Sequence, residues 1–250
     1  MMTIKNYVRA QSLEEAYTLN QSRRNKIIGG MVWLKMTNLR INTAIDLCDL
    51  HLDTIEETEE EFSVGCMVSL RQLETHEGLD AYSCGALKKA VQDIVGVQFR
   101  NCATVGGSVY GRFGFSDVLT VLLSMDCYAE LYKGGTVSLE EFAAMKKDKD
   151  ILVRIIIKKT PAKFSYEAMR AQRTDFPVLT VAASTLGKLS VGARPMKAAV
   201  MPFEAGNITA ISKKAAETFP TAKNLRGSKE YRTHLVEVLT KRALGGLYGN

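Results

Sequence analysis

The chain has 250 residues, 46% of them hydrophobic and 24% charged, so it is long enough for two modest domains and apolar enough to bury a core. No apolar run approaches the roughly 18 residues of a membrane span, and the opening MMTIKNYVRAQSLEEAY lacks the apolar stretch of a secretory signal, so a cytoplasmic protein is expected. The net charge of +6 is concentrated at the end, with eleven Lys and Arg against four Glu from Lys188 to Asn250; without a recognition motif, these charges favour solvent or a partner protein over nucleic acid.

In chain order, Ser12 with Glu15 three residues on predicts a capped helix over the first amphipathic segment. A short strand at 25–28 ends in Gly29-Gly30, an amphipathic or extended piece covers Trp33 to Arg40, and a second strand follows at Thr43 to Leu47. Phe62 to Met67 alternates as a strand, Ser69 caps a helix, and Ala86 to Val95 is helical. The passage from Val97 to Asp117 reads as a strand running into a glycine-rich loop at Gly106-Gly107, followed by a helix from Asp117 to Met125. Tyr128 to Leu131 and Thr136 to Ser138 form a hairpin across Lys133-Gly-Gly, and Ser138 with Glu141 caps another helix. Ile151 to Ile157 is a β-branched strand that ends at Thr160-Pro161, where the domain boundary is expected. Beyond it come strands at Phe164 to Arg170, Pro177 to Ser184 and Lys188 to Ala193. A final helix is capped by Ser228, carries Tyr231, Leu235, Val238, Leu239 and Arg242 on one face, and stops at Gly245-Gly246. The class is α+β.

The five cysteines contain no C-x-x-C pair, and the 18-residue spacing of the first four has no recurring context, so they are read as reduced structural thiols. His51, His76 and His234 stand apart from one another. No G-x-G-x-x-G, P-loop or G-x-S-x-G pattern occurs, which removes the usual support for Rossmann, P-loop and hydrolase chemistry. What remains is the two Gly-Gly turns. A backbone without Cβ atoms lets successive N–H groups turn inward around an anion such as a pyrophosphate, with Thr104 and Ser108 adding hydroxyls at the second turn. Either turn alone is ordinary turn chemistry, so they carry weight only as a pair.

Longer stretches resemble a known family. Gln98-Phe-Arg-Asn-Cys-Ala-Thr-Val-Gly-Gly-Ser is similar to Q-I-R-N-x-A-T-I-G-G-N, and Ser116-Asp117-Val-Leu-Thr-Val-Leu-Leu-Ser-Met-Asp-Cys to S-D-x-x-P-x-L-L-A-L-D-A, of the FAD-binding (medium) subunits of molybdenum hydroxylases such as xanthine and carbon monoxide dehydrogenases. Ile27-Ile-Gly-Gly-Met-Val-Trp-Leu resembles that family's first loop, Asp150-Ile-Leu its E-x-L strand entry, Arg173-Thr-Asp-Phe-Pro its R-x-x-D-F, and Leu225-Arg-Gly-Ser-Lys-Glu-Tyr-Arg its D-x-R-G-S-x-x-Y-R. The resemblance implies a two-part FAD-binding domain of the vanillyl-alcohol-oxidase/PCMH type at 1–161, with parts at about 1–55 and 56–161, and a small C-terminal domain of the carbon monoxide dehydrogenase flavoprotein type at 162–250.

It also implies non-covalent FAD held by Ile27, Ile28, Gly29, Gly30, Met31, Val32 and Trp33 in one loop and by Thr104, Gly106, Gly107 and Ser108 in the other, with Asp117 on a sugar or ribityl hydroxyl and Leu152 on the isoalloxazine ring. Partner subunits would carry molybdopterin and a 2Fe-2S cluster, and electrons would leave the flavin for NAD or another acceptor. No residue of this chain is expected to be catalytic or to ligate a metal.

The chain departs from the family at four places. Met31 replaces a small hydroxyl residue and Val32 a polar one, removing side-chain hydrogen bonds worth about 0.5–1.5 kcal/mol each. Ala168 stands where many relatives have lysine, and Tyr110, Arg112, Phe113 and Phe115 make the second loop aromatic and basic, with Arg112 either replacing a missing charge or solvated. These departures leave open a docking or assembly subunit with weakened flavin binding, and the basic C-terminal part leaves open a nucleic-acid-associated protein.

Overall fold

The computed structural model describes residues 1–249. Strand β1 (Thr3–Arg9), helix α1 (Leu13–Asn20), β2 (Lys26–Ile28), a 3-10 turn (Leu34–Met36) and β3 (Arg40–Asp46) build a parallel sheet ordered β1-β3-β2. Ser12 caps α1 by accepting from the Glu15 amide, but the Glu15 carboxylate reaches back to the Gln11 amide, so the reciprocal half of the expected capping box falls one residue earlier. β1 escapes periodicity analysis because nearly all of its residues are exposed; its place is set by the β3 ladder.

The second sheet is antiparallel, ordered β4-β5-β8-β6-β7, with β4 (Ile55–Glu57), β5 (Glu61–Gly65), β6 (Cys127–Leu131), β7 (Gly135–Ser138) and β8 (Leu152–Lys158). Six helices lie between β5 and β6: α2 (Leu70–Thr75), α3 (Glu77–Tyr82), α4 (Ala86–Val91), α5 (Val97–Cys102), α6 (Val105–Tyr110) and α7 (Asp117–Leu123); α8 (Leu139–Ala144) follows β7. Ser69 with Gln72, and Ser138 with Glu141, complete reciprocal capping boxes at α2 and α8, satisfying amides that a helix start leaves without partners.

The expected strand and loop from Val97 onward are instead helices α5 and α6. Thr104 Oγ1 accepts from the Gly107 amide and starts α6, and burial of Val105 and Val109 outweighs the poor helix propensity of glycine and valine. Arg100 in α5 is buried, with Nε 2.7 Å from Glu74 Oε2 and Nη1 3.2 Å from the Ile94 carbonyl oxygen.

The third sheet is an antiparallel meander ordered β12-β11-β10-β9, from β9 (Phe164–Arg170), β10 (Pro177–Ser184), β11 (Lys188–Gly192) and the unexpected β12 (Ala199–Pro202), covered by α9 (Ile208–Thr218) and α10 (Lys229–Tyr248). Every residue of β10 is buried. Leu179, Val181 and Ala183 share an apolar core with Leu235, Val236 and Leu239 of α10. The alternate residues face the other way, where Thr180 Oγ1 meets Thr120 Oγ1 of α7 at 3.2 Å.

α10 does not stop at Gly245-Gly246 but runs to Tyr248, because Ala243, Leu244 and Leu247 continue its buried stripe. Tyr231 and Arg242, expected on that stripe, are exposed, and Arg232 and Val236 take the inward positions. Among the described residues no helix is long and apolar enough to cross a membrane. Mixed α and β content agrees with the class expected from sequence. Cys66 and Cys127 are buried thiols, the former pushed up to about 12 by burial.

Candidate functional site

The two glycine pairs meet. A Cβ on Gly30 would stand 1.5 Å from the Cys102 carbonyl oxygen, and one on Gly29 2.7 Å from Thr104 Oγ1, so the loop after β2 lies directly on the turn between α5 and α6. Gly106 is enclosed in the same way, 2.6 Å from the Cys66 carbonyl oxygen. Only glycine permits such backbone approach.

The amides of the two pairs differ. Those of Gly29, Gly30, Met31, Val32 and Trp33 have no hydrogen-bond acceptor among the described residues. In the second pair, the Gly106 amide donates to the Cys66 carbonyl oxygen at 2.8 Å, the Gly107 amide to Thr104 Oγ1 at 3.1 Å and the Ser108 amide to the Thr104 carbonyl oxygen at 3.0 Å. The expected symmetrical cradle is therefore one-sided: the first loop offers a run of donors, and the second pair serves close packing. Met31 adopts φ 56°, a left-handed conformation that disfavours a side chain, and its neighbouring amides are held in this constrained turn.

These loops line a cavity of about 460 Å³, within the size range of ligand pockets. Ile27, Ile28, Gly29, Gly30, Met31, Val32, Trp33, Thr104, Gly106, Gly107, Ser108, Asp117 and Leu152 all border it. Sequence reasoning missed Leu70, Ile94, Phe99 and Phe176, and also Lys26, Lys147 and Lys149, all of which border the same cavity. Phe99 and Phe176 lie inside the family motifs and Lys26 and Lys149 directly beside them, whereas Leu70, Ile94 and Lys147 carried no such signal. Burial, with Arg112, Lys197 and Lys26 nearby, lowers the Lys147 pKa.

Asp117 is buried at the start of α7. Its Oδ1 accepts from the Tyr166 hydroxyl and, at 2.7 Å, from Arg170 Nη2, both on β9. Desolvation pushes its carboxyl up to about 6 against the opposing pull of Arg170 and Tyr166. Ala168 lies between them on β9, opposite Thr180. Arg112 neither borders the cavity nor reaches solvent: its Nε donates to the Phe142 carbonyl oxygen at 2.9 Å, its guanidinium lies 4.0 Å from the Phe142 ring centroid, and its two terminal nitrogens have no hydrogen-bond partner among the described residues.

Comparison with known proteins places these features in context. The family model for the FAD binding domain in molybdopterin dehydrogenase matches residues 2–159. The uncharacterized protein YgfM of Escherichia coli K12 is 26% identical over 247 residues, which cover 94% of this chain and 93% of that one. Among solved structures, a chain of carbon monoxide dehydrogenase from Hydrogenophaga pseudoflava, in a form lacking the Mo-pyranopterin moiety of the molybdenum cofactor, superimposes with a TM-score of 0.86 at 19% identity, covering 98% of both chains. A chain of quinoline 2-oxidoreductase from Pseudomonas putida 86 gives 0.82 at 17% identity over 98% of this chain and 96% of the other. At such identities the structures establish a shared fold, whereas the sequence match covers well over half of the chain. This chain belongs to the family of FAD-binding domains found in molybdopterin dehydrogenases.

Proposed function

We propose that the chain is the FAD-binding subunit of a multi-subunit molybdenum-hydroxylase-type oxidoreductase, passing electrons from a 2Fe-2S subunit through non-covalent FAD to NAD or another acceptor. A molybdopterin-binding large subunit and the small 2Fe-2S subunit complete the complex, which works in the cytoplasm. One observation carries the reading: five consecutive residues, Gly29 to Trp33, whose amides have no acceptor among the described residues, line the cavity that the second glycine pair also borders. A pyrophosphate offers acceptors for such a run of donors.

The residues fit the cofactor. The first loop binds the pyrophosphate through its backbone, so replacement of hydroxyl and polar side chains by Met31 and Val32 leaves that contact in place. Thr104 and Ser108 border the phosphates, Leu152 packs on the flavin ring, and Asp117 orients a ribityl hydroxyl through Oδ2, the oxygen that Tyr166 and Arg170 do not engage. Bound FAD supplies the redox chemistry; the protein positions it and excludes water. The FAD-binding domain is proposed to span 1–161 and the C-terminal domain 162–250.

The purified chain incubated with FAD and passed through gel filtration is expected to elute yellow, with one FAD per chain released on denaturation. A chain that elutes colourless after incubation with excess FAD overturns the proposal. A yellow chain whose reduced flavin is not reoxidised by NAD⁺, but is by another acceptor, removes NAD.

A further inference from the structure

Four partly exposed aromatic rings from three parts of the chain form one side of the cavity. Trp33 follows the first glycine pair, Phe113 and Phe115 lie between α6 and α7, and Phe176 sits immediately before β10. Ring centroids are 4.7 Å apart for Trp33 and Phe115, 4.9 Å for Phe115 and Phe176, and 5.9 Å from Trp33 to both Phe113 and Phe176. Phe113 and Phe115 stack at 5.3 Å with planes 10° apart. None of the four is buried, and Trp33 is 37% exposed. Rings of this size normally withdraw from water, and a contiguous half-covered set at a cavity marks a binding surface.

The wall is also held in place. Arg170 Nη1 donates to the Asp175 carbonyl oxygen at 2.7 Å, Arg226 Nη2 to Asp175 Oδ1 at 2.9 Å, and the Phe176 amide to the same oxygen at 2.7 Å. Arg226 lies 5.6 Å from the Phe176 ring centroid. The segment that carries Phe176 is thus tied to both β9 and the loop before α10, and its ring is ordered before any ligand arrives. Preorganised rings lose little entropy on binding.

We propose that Trp33, Phe113, Phe115 and Phe176 form a stacking wall for one of the two planar rings of the bound flavin dinucleotide. The wall rests on the FAD reading above and deepens it: affinity that the first loop lacks in side-chain hydrogen bonds at Met31 and Val32 comes from aromatic contact, and Phe176 makes the C-terminal sheet part of the cofactor site. Flat π-systems favour offset and edge contacts with one another, and a heteroaromatic ring of the ligand extends the same packing.

Trp33 is the single tryptophan of the chain, so its emission reports on the wall. FAD is titrated into the full chain while Trp33 emission and, independently, bound FAD by ultrafiltration are followed. Emission is expected to fall in proportion to bound FAD. Phe176→Leu, which keeps apolar bulk and removes the ring, is expected to raise the FAD Kd about tenfold, and Phe176→Tyr to restore it. Parallel titrations with FMN and with ADP assign the ring, since the fragment that quenches Trp33 carries it. Unchanged Trp33 emission in a chain that retains FAD, or a Phe176→Leu Kd within about twofold of the parent, overturns the wall and leaves FAD binding standing. A parent chain that retains no FAD overturns both.

Discussion

Gly30→Ala is the sharpest perturbation the structure offers. The added Cβ would stand 1.5 Å from the Cys102 carbonyl oxygen, 2.3 Å from its carbon and 3.1 Å from the Ala103 amide nitrogen. Against normal carbon contacts of about 3.5 Å, the shortest of these must open by about 2 Å. The obstacle is backbone, and that backbone belongs to the turn leading into Thr104, so relief requires the two glycine loops to part. Overpacking of this kind costs about 3 kcal/mol, the upper part of its usual range, because no side chain can rotate away. Separation also breaks the cavity wall that both loops share, so the FAD Kd is expected to rise by about 100-fold or more. Urea unfolding of the ligand-free chain measures the first effect and equilibrium dialysis against FAD the second. Gly206→Ala is the control: a Cβ there meets nothing within 4 Å, and its cost is expected to stay within about 0.5 kcal/mol. A Gly30→Ala protein as stable as this control, with unchanged FAD affinity, would refute the requirement for close approach.

Asp117 predicts a pH signature. Its folded pKa of about 6 lies above the usual 3.8, so its contribution to stability is full below about pH 4 and is lost as pH rises through about 6. The corresponding loss is on the order of 3 kcal/mol. The stability of the parent relative to Asp117→Asn is therefore expected to decline between about pH 4 and pH 7; a relative stability that increases over that range contradicts the burial argument. Arg232 makes a separate case. It is fully buried, and its guanidinium donates to the Val178, Ala222 and Gly227 carbonyl oxygens and to Asn224 Oδ1 at 2.6–2.9 Å. Arg232→Met strands these acceptors and is expected to cost about 4 kcal/mol. Arg232→Lys should recover only part of that because one ammonium cannot span all four. A loss under about 1 kcal/mol in thermal or urea unfolding would show that the loop before α10 reorganises around the methionine.

Features specified by near neighbours were legible before any coordinates. Ser69 as a cap and Ser138 with Glu141 as a capping box announce helix starts because the capping groups lie within one turn of the amides they satisfy. The β6–β7 hairpin and the apolar strand β8 follow from alternation and β-branching. Among the elements that were not legible, two failed for opposite reasons. β1 exposes almost every side chain and has no pattern to read, while α6 contains residues that favour other conformations locally and becomes helical through its Thr104 cap and the burial of Val105 and Val109. Gly245-Gly246 misled in the same way. Glycine weakens a helix by about 1 kcal/mol, which is less than the burial of Leu244 and Leu247 restores.

At the site the division follows the range of the interactions. Motif residues spaced along the chain identified the family and named thirteen positions, and all thirteen border one cavity. Chain order could not reveal that Gly30 rests on Cys102, that the donors belong to the first loop while the second pair's amides are engaged internally, or that Phe176 reaches the ring cluster around Trp33. Gly30 and Cys102, Gly106 and Cys66, and Phe176 and Trp33 are separated by tens of positions or more, and no local propensity encodes their contacts. They arise when three sheets and the buried helix α7 pack together, which sets how closely the loops approach.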